Sequence, residues 1–232
     1  FLKSFIEKLG SANILVSEFV ETWNKKERVN IDGFFLSPNV IVLKRQQQAL
    51  RREIFTLAHE LGHYLLNEEE VESLDFADMY GNNGNKVENW CNEFAFYFLA
   101  GRYANTIHQL STANASNDYH MELIGEISKK THLSRLALYT RLLLDGKITY
   151  PSYLHIKQEF EEQYQEQEAA LKKQRELEKL AGIESNARAA QPIKSPLLIS
   201  TLQTAFYEGV INEQDFCKTL HITPDKLPQY LP

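Results

Sequence analysis

Residues 59–63, His-Glu-Leu-Gly-His, constrain the fold of this chain more than any other segment. They lie inside residues 54–66, whose apolar spacing predicts an amphipathic helix. His59 and His63 are four residues apart, so both rings lie on one helical face and can bind one Zn²⁺. Glu60 then lies beside the metal, where a carboxylate can deprotonate a bound water. The sequence therefore predicts a zinc site on this helix with Glu60 as the catalytic base.

A catalytic zinc site usually has a third protein ligand. One class of zinc protease uses a histidine six residues after the second histidine, but residue 69 here is Glu. Another class uses a glutamate on a later helix, and Glu88 and Glu93 both lie on the next predicted helix, 87–99. Five residues of helix rotate a side chain by about 140°, so only one of the two is expected to reach the metal. We choose Glu88, because Asn92 shares its face and can hold a ligand by a hydrogen bond; Glu93 is expected to face solvent.

Residues 59–63 have two simpler interpretations, which are a chance pair of surface histidines and a metal site that only stabilises the fold. Gly62 argues against the first, because glycine inside a helix costs about 1 kcal/mol relative to alanine and indicates close packing against another element. Glu60 argues against the second, because a structural site has no use for an unligated carboxylate at the metal.

The order of predicted elements indicates an α+β fold. A helix over 1–9 that stops at Gly10 precedes a small antiparallel sheet, whose strands are 32–36 and 40–43, with a further short strand or helix over 13–18. The two metal helices follow, and helix 87–99 is expected to be buried on nearly all sides. The predicted domains are a metallopeptidase-like core (1–105), a helical segment that completes it (106–150, with Ser134 as a helix N-cap), a long charged helix (151–182), and a linker with a helical tail that turns near Gly209 (183–232).

Composition excludes few classes of function. The formal net charge of −6 argues weakly against a general nucleic-acid-binding surface. Cys91 and Cys217 are the only cysteines, and we interpret them as reduced core residues of a cytoplasmic protein. No apolar run is long enough to span a membrane, so no membrane partner is expected. The sequence begins at Phe1 rather than Met, which fits a fragment of a longer chain.

The chain resembles the ImmA/IrrE metallopeptidases, which are bacterial and phage zinc proteins related to thermolysin-like peptidases. The resemblance rests on Phe-Thr-Leu-Ala-His-Glu-Leu-Gly-His (55–63) and on Glu-Asn-Trp-Cys-Asn-Glu-Phe-Ala (88–95). The second string fits the family pattern Glu-x-x-Ala-Asn-x-Phe-Ala, with Cys91 in the place of Ala. The resemblance implies a zincin-type fold, Glu88 as the third ligand and a helix-turn-helix-like segment that ends at Gly-Lys-Ile (146–148). It also implies cleavage of a protein substrate such as a DNA-binding transcriptional repressor.

Several roles remain open at this stage. Tyr103, Tyr119 and His120 are candidates for stabilising the oxyanion of the reaction. An edge strand of the sheet is expected to bind an extended peptide. One rival interpretation is a DNA-binding or partner-binding regulator that uses residues 119–148, although this segment carries less positive charge than a duplex-binding segment usually does. Another is a sensor with a latent peptidase domain. The long helix is a candidate for dimerisation or, alternatively, a solvated spacer. The acidic run 68–72 is interpreted as a solvated loop.

Overall fold

The computed structural model of the 232-residue chain describes residues 1–20, 31–45, 50–69, 86–181 and 195–231. Within these ranges its strands are β1 (Leu15–Val20), β2 (Gly33–Leu36) and β3 (Val40–Arg45). Its helices are α1 (Leu2–Ser11), α2 (Leu50–Leu66), α3 (Lys86–Ala100), α4 (Tyr103–His108), α5 (Met121–Lys130), α6 (Arg135–Leu144), α7 (Tyr150–Leu180), α8 (Pro196–Tyr207) and α9 (Glu213–Thr219), with 3-10 turns at Ala115–His120 and Pro224–Gln229. The α+β class is confirmed, and helices predominate.

The three strands form a mixed sheet rather than the predicted antiparallel one. β3 lies in the centre, parallel to β1, with Leu15 opposite Val40, and antiparallel to β2, with Phe35 opposite Ile41. The predicted antiparallel pairing of strands 32–36 and 40–43 is confirmed by β2 and β3. The parallel addition of β1 was not predicted, because alternating apolar residues show which face of a strand is buried but not which partner it pairs with or in which direction. β2 is therefore an edge strand among the described residues, whereas β3 is paired on both sides.

The chain divides into two compact units. The first unit comprises Phe1–Asp75, Asn83–Ala95 and Ala190–Pro232, and the second comprises Phe76–Asn82 and Phe96–Ala189. The boundary falls inside α3, directly after Ala95. The domain boundaries predicted at residues 105, 150 and 182 stay predictions, as do the zincin-type and helix-turn-helix-like details.

In the first unit, α2 packs on β2 and β3, and every α2 residue from Glu53 to His63 is buried. α1 turns its apolar face inward through Leu2, Phe5, Ile6 and Leu9. The predicted stop at Gly10 was wrong, since α1 continues to Ser11 and the positive φ of 61° comes at Asn13. A Cβ on Gly10 would lie 3.3 Å from the Cβ of Leu197, so this glycine instead allows α1 to approach α8 closely.

The C-terminal tail packs against the same unit. Its turn near Gly209 is confirmed, with a φ of 72° at that residue. The tail has its own small core, against which Leu15 of β1 also packs: Leu198, Phe216, Cys217, Leu220 and Leu227. The burial of Cys217 agrees with its interpretation as a core cysteine, and the structure places Cys91 in the core as well.

In the second unit, α5 and α6 form the predicted helical pair. The hydroxyl of Ser134 accepts a hydrogen bond from the backbone N–H of Ala137, which confirms it as the N-cap of α6. α6 buries Leu138, Tyr139 and Leu142. The first turns of α7 are also buried, through Tyr153 and Ile156.

The prediction that α3 is buried nearly all round was wrong. Cys91 and Phe96 are buried, but Trp90 and Phe98 are 42% and 45% exposed. The ring of Trp90 stacks on Phe94 at 5.5 Å, so aromatic residues four apart on one helix cover each other. Aromatic composition therefore overstated how much of this helix the rest of the chain covers.

No helix in the described ranges combines the length and apolarity needed to cross a bilayer. The acidic run beyond Glu69, the Gly/Asn-rich residues 81–85 and the predicted linker up to residue 194 lie outside the described residues.

Candidate metal centre

Side chains of His59, His63 and Glu88 converge in the first unit. The two Nε2 atoms of the histidines are 3.1 Å apart. The carboxylate of Glu88 lies between them, with Oε2 3.1 Å from Nε2 of His59 and Oε1 3.0 Å from Nε2 of His63. In a tetrahedral zinc site with bonds of about 2.0–2.1 Å, neighbouring ligand atoms are about 3.3 Å apart. The three side chains therefore have nearly the spacing that one metal ion requires.

The other ring nitrogen of each histidine already has a partner. Nδ1 of His59 lies 2.9 Å from Oδ1 of Asn92, and Nδ1 of His63 lies 3.2 Å from the carbonyl oxygen of Glu68. Both partners are acceptors, so each Nδ1 carries its hydrogen, and a neutral ring then has its lone pair on Nε2. Two lone pairs and a carboxylate consequently face one another, and this arrangement is stable only with a cation or an added proton between them.

The end of α2 itself orients His63. The N–H of Glu68 donates to the carbonyl oxygen of His63 at 3.1 Å. The carbonyl oxygen of Glu68 in turn accepts a hydrogen bond from Nδ1 of the His63 ring. Asn67 makes this return possible with a φ of 55°. Sequence reasoning missed this contact. Asn67, directly after the last helical residue, signals the left-handed turn, but no side chain signals that the next carbonyl accepts from His63.

Two glycines bring the elements of the site together. A Cβ on Gly62 would lie 3.1 Å from Cα of Cys91 and 3.0 Å from its Sγ, so α2 and α3 touch at this point. The predicted close packing of Gly62 is thus confirmed. A Cβ on Gly33, at the start of β2, would lie 2.6 Å from Cγ2 of Thr56 on α2. Close approach at both positions fixes where Glu88 and the sheet lie relative to α2.

Glu60 lies in the same buried region, with 4% of its surface exposed. Burial, assisted by the charge of Glu88, raises its pKa to about 8, against the opposing effects of His63 and of a backbone hydrogen bond from Phe35. Among the described residues, Oε2 of Glu60 has no hydrogen-bond partner. A divalent cation at the three ligands would lower this pKa and would hold a water to which that oxygen could bond. The orphaned oxygen therefore fits a metal centre.

The pKa values of two of the ligands also favour a cation at this site. Burial opposes protonation of His63, but its contacts with Cys91 and Glu88 outweigh burial and raise its pKa to about 10. Burial likewise opposes ionisation of Glu88, but hydrogen bonds with His59 and His63 lower its pKa to about 2. A positive charge is thus strongly favoured at this point, whether a proton or a metal ion supplies it.

The remaining predicted residues lie elsewhere. Glu93 is exposed on α3. Tyr103, Tyr119 and His120 belong to the second unit, and their role at an oxyanion stays a prediction. Tyr119 and His120 lie in a left-handed turn with φ values of 50° and 56°, and the carbonyl of Tyr119 accepts a 2.9 Å hydrogen bond from the buried hydroxyl of Tyr139.

Sequence reasoning also missed a hydrogen-bonded chain in the second unit. Nδ1 of His108 lies 2.8 Å from Oδ2 of Asp145, and its Nε2 lies 3.0 Å from the hydroxyl of Tyr97. Arg141 pairs with the other carboxylate oxygen of Asp145 at 2.8 Å. Tyr97, His108 and Asp145 are far apart in sequence, and no motif spacing indicates their contacts. The chain ties the end of α3 to α4 and to the end of α6.

Comparison with protein families now adds to this geometry. The family model Peptidase_M78, the IrrE N-terminal-like domain, matches residues 11–143. The chain belongs to this family. The match runs from before β1 to α6 and includes every residue of the candidate metal centre, so the chain carries a metallopeptidase-type domain of a metal-dependent family. It also confirms the resemblance to the ImmA/IrrE proteins. Neither the curated proteins nor the solved structures give a match.

Proposed function

We propose that this chain is a zinc-dependent endopeptidase that hydrolyses a peptide bond in a regulatory protein such as a DNA-binding repressor. The observation that carries the proposal is the convergence of three acceptor groups, from His59, His63 and Glu88. Nδ1 of each histidine is already hydrogen-bonded to another group, so Nε2 is the nitrogen that faces the metal position. Two nitrogens and a carboxylate are a usual ligand set for catalytic zinc. When bound, the metal polarises the substrate carbonyl and lowers the pKa of its water.

Glu60 supplies the proton transfers. Its unpartnered Oε2 takes a proton from the attacking water, and the protonated carboxyl then donates to the amine that leaves. The surroundings suit both steps, because burial makes the neutral acid stable while a nearby cation stabilises the anion. Asn92 and the carbonyl of Glu68 keep the two histidines in the tautomer that presents Nε2.

The edge strand β2 is the proposed binding site for an extended substrate segment. The N–H of Phe35 hydrogen-bonds to Glu60, so β2 lies directly beside the catalytic base. In a strand, the N–H and C=O of one residue point to the same side, so the carbonyl of Phe35 also faces the open edge. A substrate strand that pairs with this edge would pass next to Glu60.

A repressor is proposed as the substrate on the strength of family membership. The rival function, DNA binding through α5 and α6, is favoured by no observation. α6 buries much of its surface, and its arginines are engaged within the chain, with Arg135 over the ring of Phe160 at 4.6 Å and Arg141 paired with Asp145. A recognition helix needs such side chains free for phosphates and bases.

The test combines metal analysis with cleavage. Parent and Glu60→Gln proteins are assayed for zinc content and for cleavage of a proteome-derived peptide library, read by mass spectrometry. We expect one zinc per chain in both, and a loss of cleavage of about 10²–10⁴-fold in Glu60→Gln. Glu93→Gln serves as the matched control, because Glu93 is exposed on the adjacent helix. Equal cleavage by parent and Glu60→Gln proteins would contradict the proposal.

A further inference from the structure

The outer part of α7 is a long helical surface that the other described residues leave exposed. α7 has 31 residues and is therefore about 46 Å long. Its first turns are buried, but from residue 161 to 181, all within the described ranges, no residue is buried. Leu171 and Leu177 are 51% and 59% exposed there. This part of α7 gains little stability from packing against the described residues, although packing supplies most of the stability of helices in proteins.

The apolar stripe of α7 continues onto this exposed part. Tyr153, Ile156 and Phe160 lie on one face, and Phe160 contacts Tyr139 of α6 at 6.0 Å between ring centroids. Helical periodicity of 100° per residue places Tyr164, Gln167, Leu171 and Gln174 on the same face. Alternating steps of three and four residues along this face are those of a coiled-coil seam, although glutamines make it a weak one.

Charge is distributed along α7 in two blocks of opposite sign. The first block is acidic, with Glu159, Glu161, Glu162, Glu166 and Glu168 and no basic residue between them. The second block is predominantly basic, with Lys172, Lys173, Arg175 and Lys179 against Glu176 and Glu178. The helix dipole does not explain the acidic block, because its effect is confined to the first turn and the block begins more than two turns after the start of α7.

Contacts within α7 use only part of this charge. Lys172 pairs with Glu168 at 2.9 Å, and Gln158 and Gln174 donate to Glu162 and Glu178 at 2.8 Å. These are exposed pairs four residues apart, and each contributes little. The separation into two blocks is therefore a property of the whole surface that local pairs do not account for.

We propose that α7 pairs with α7 of a second copy of this chain in antiparallel orientation, centred near Ala169. Antiparallel pairing places the acidic block of each copy against the basic block of the other, whereas parallel pairing would place like charges together. In this register Glu161 lies near Arg175 of the second copy and Glu168 lies near Lys172, all on the same flank of the apolar stripe.

The seam of this pairing is consistent with the same register. Leu171 of each copy packs against Gln167 of the other, and the small side chain of Ala170, beside the stripe, allows the helices to approach near the centre. Because the seam contains glutamines, the association depends on charge more than an apolar coiled coil would. Salt is therefore expected to weaken it strongly.

The first test measures self-association of the full chain by sedimentation equilibrium at low and high salt. We expect a monomer–dimer equilibrium that is at least tenfold weaker at about 0.5 M than at about 0.05 M NaCl. One variant reverses the acidic residues of the shared flank (E161K/E168K) and another reverses the basic residues opposite them (K172E/R175E). Each alone is expected to be monomeric, and an equimolar mixture is expected to form a one-to-one heterodimer. Circular dichroism confirms that both variants remain folded.

A matched control and an orientation test complete the design. K129E/K130E reverses two exposed basic residues on α5 and is expected to leave dimerisation unchanged. Ala170→Cys, which lies beside the stripe near the centre of the pairing, should form a disulfide-linked dimer on mild oxidation. Glu161→Cys should not, because the two positions 161 would be about 24 Å apart along the axis. The native Cys91 and Cys217 are buried and do not interfere.

The results that would overturn the proposal are distinct. A chain that stays monomeric up to about 1 mM at low salt, or that binds only a different protein through α7, has no self-pairing surface. A dimer that survives both charge reversals uses another surface. Cross-linking at both cysteine positions would show parallel helices. None of these results bears on metal binding or peptide cleavage.

Discussion

Replacing Gly62 by alanine tests whether the contact of α2 with α3 builds the metal centre. Alanine is the better helix former by about 1 kcal/mol, so Gly62→Ala would be stabilising if the position were open. The new Cβ would instead lie 3.0–3.2 Å from Sγ, Cα and Cβ of Cys91. Two of these atoms belong to the backbone or its first carbon, so no rotamer change relieves the contact. Overpacking of this kind costs about 1–3 kcal/mol.

We expect Gly62→Ala to lower the free energy of unfolding by up to about 2 kcal/mol. This is the overpacking cost minus about 1 kcal/mol for the higher helix propensity of alanine. A larger effect is expected on metal binding. Relief of the contact requires α3 to move by a few tenths of an ångström away from α2, whereas metal–ligand distances tolerate about 0.2 Å. Because α3 carries Glu88 and α2 carries the histidines, zinc affinity should fall by about 10–100-fold. Denaturant unfolding and competition with a chromophoric chelator measure the two quantities.

Gly125 in α5 provides the matched control. It is also a glycine inside a helix, but a Cβ there would meet nothing within 4 Å. Gly125→Ala should therefore stabilise the protein by up to about 1 kcal/mol and leave zinc affinity unchanged. If Gly62→Ala were as stable as Gly125→Ala and bound zinc like the parent, the inference that this close approach sets the ligand geometry would be refuted.

Three further outcomes are expected. Asn92→Ala frees the ring of His59 and should weaken zinc binding about 10–100-fold in chelator competition, whereas Glu93→Gln should not; equal affinities would count against the hydrogen bond as the cause. In chelator-treated protein, the raised pKa of His63 stabilises the fold fully below pH 6.5, and this stability is lost as the pH rises towards 10, so the melting temperature should fall over that range; a flat profile would contradict it. Tyr139→Phe removes the donor to the left-handed turn and should cost about 1 kcal/mol in urea unfolding; an unchanged midpoint would refute that role.

The site was largely predictable because its chemistry follows from spacing along helices. His59 and His63 are one turn apart in any α-helix, and the face shared by Glu88 and Asn92 follows from the same periodicity. The convergence of the two helices is a tertiary property, yet Gly62 indicated it. The structure brings these residues together as the spacing required.

The parts that could not be predicted depend on contacts between distant segments or on the backbone. The parallel pairing of β1 with β3 leaves no trace in the apolar pattern of either strand. The carbonyl of Glu68, which orients His63, is a backbone group that every residue has. The left-handed turn at Tyr119 and His120 lacks the glycine that usually signals positive φ.

Catalytic competence requires more than the three ligands, because Glu60 must also lie beside the substrate. Gly33 is the residue that permits this. A Cβ there would lie 2.6 Å from Cγ2 of Thr56, 3.0 Å from the carbonyl of Val42 and 3.3 Å from Cγ of Glu60, so any larger residue would push β2 away from α2. The same strand gives Glu60 the N–H of Phe35. A displaced strand would therefore both release the carboxylate and move the open edge away from the metal ligands, which makes β2 part of the proposed catalytic site and not only a support for it.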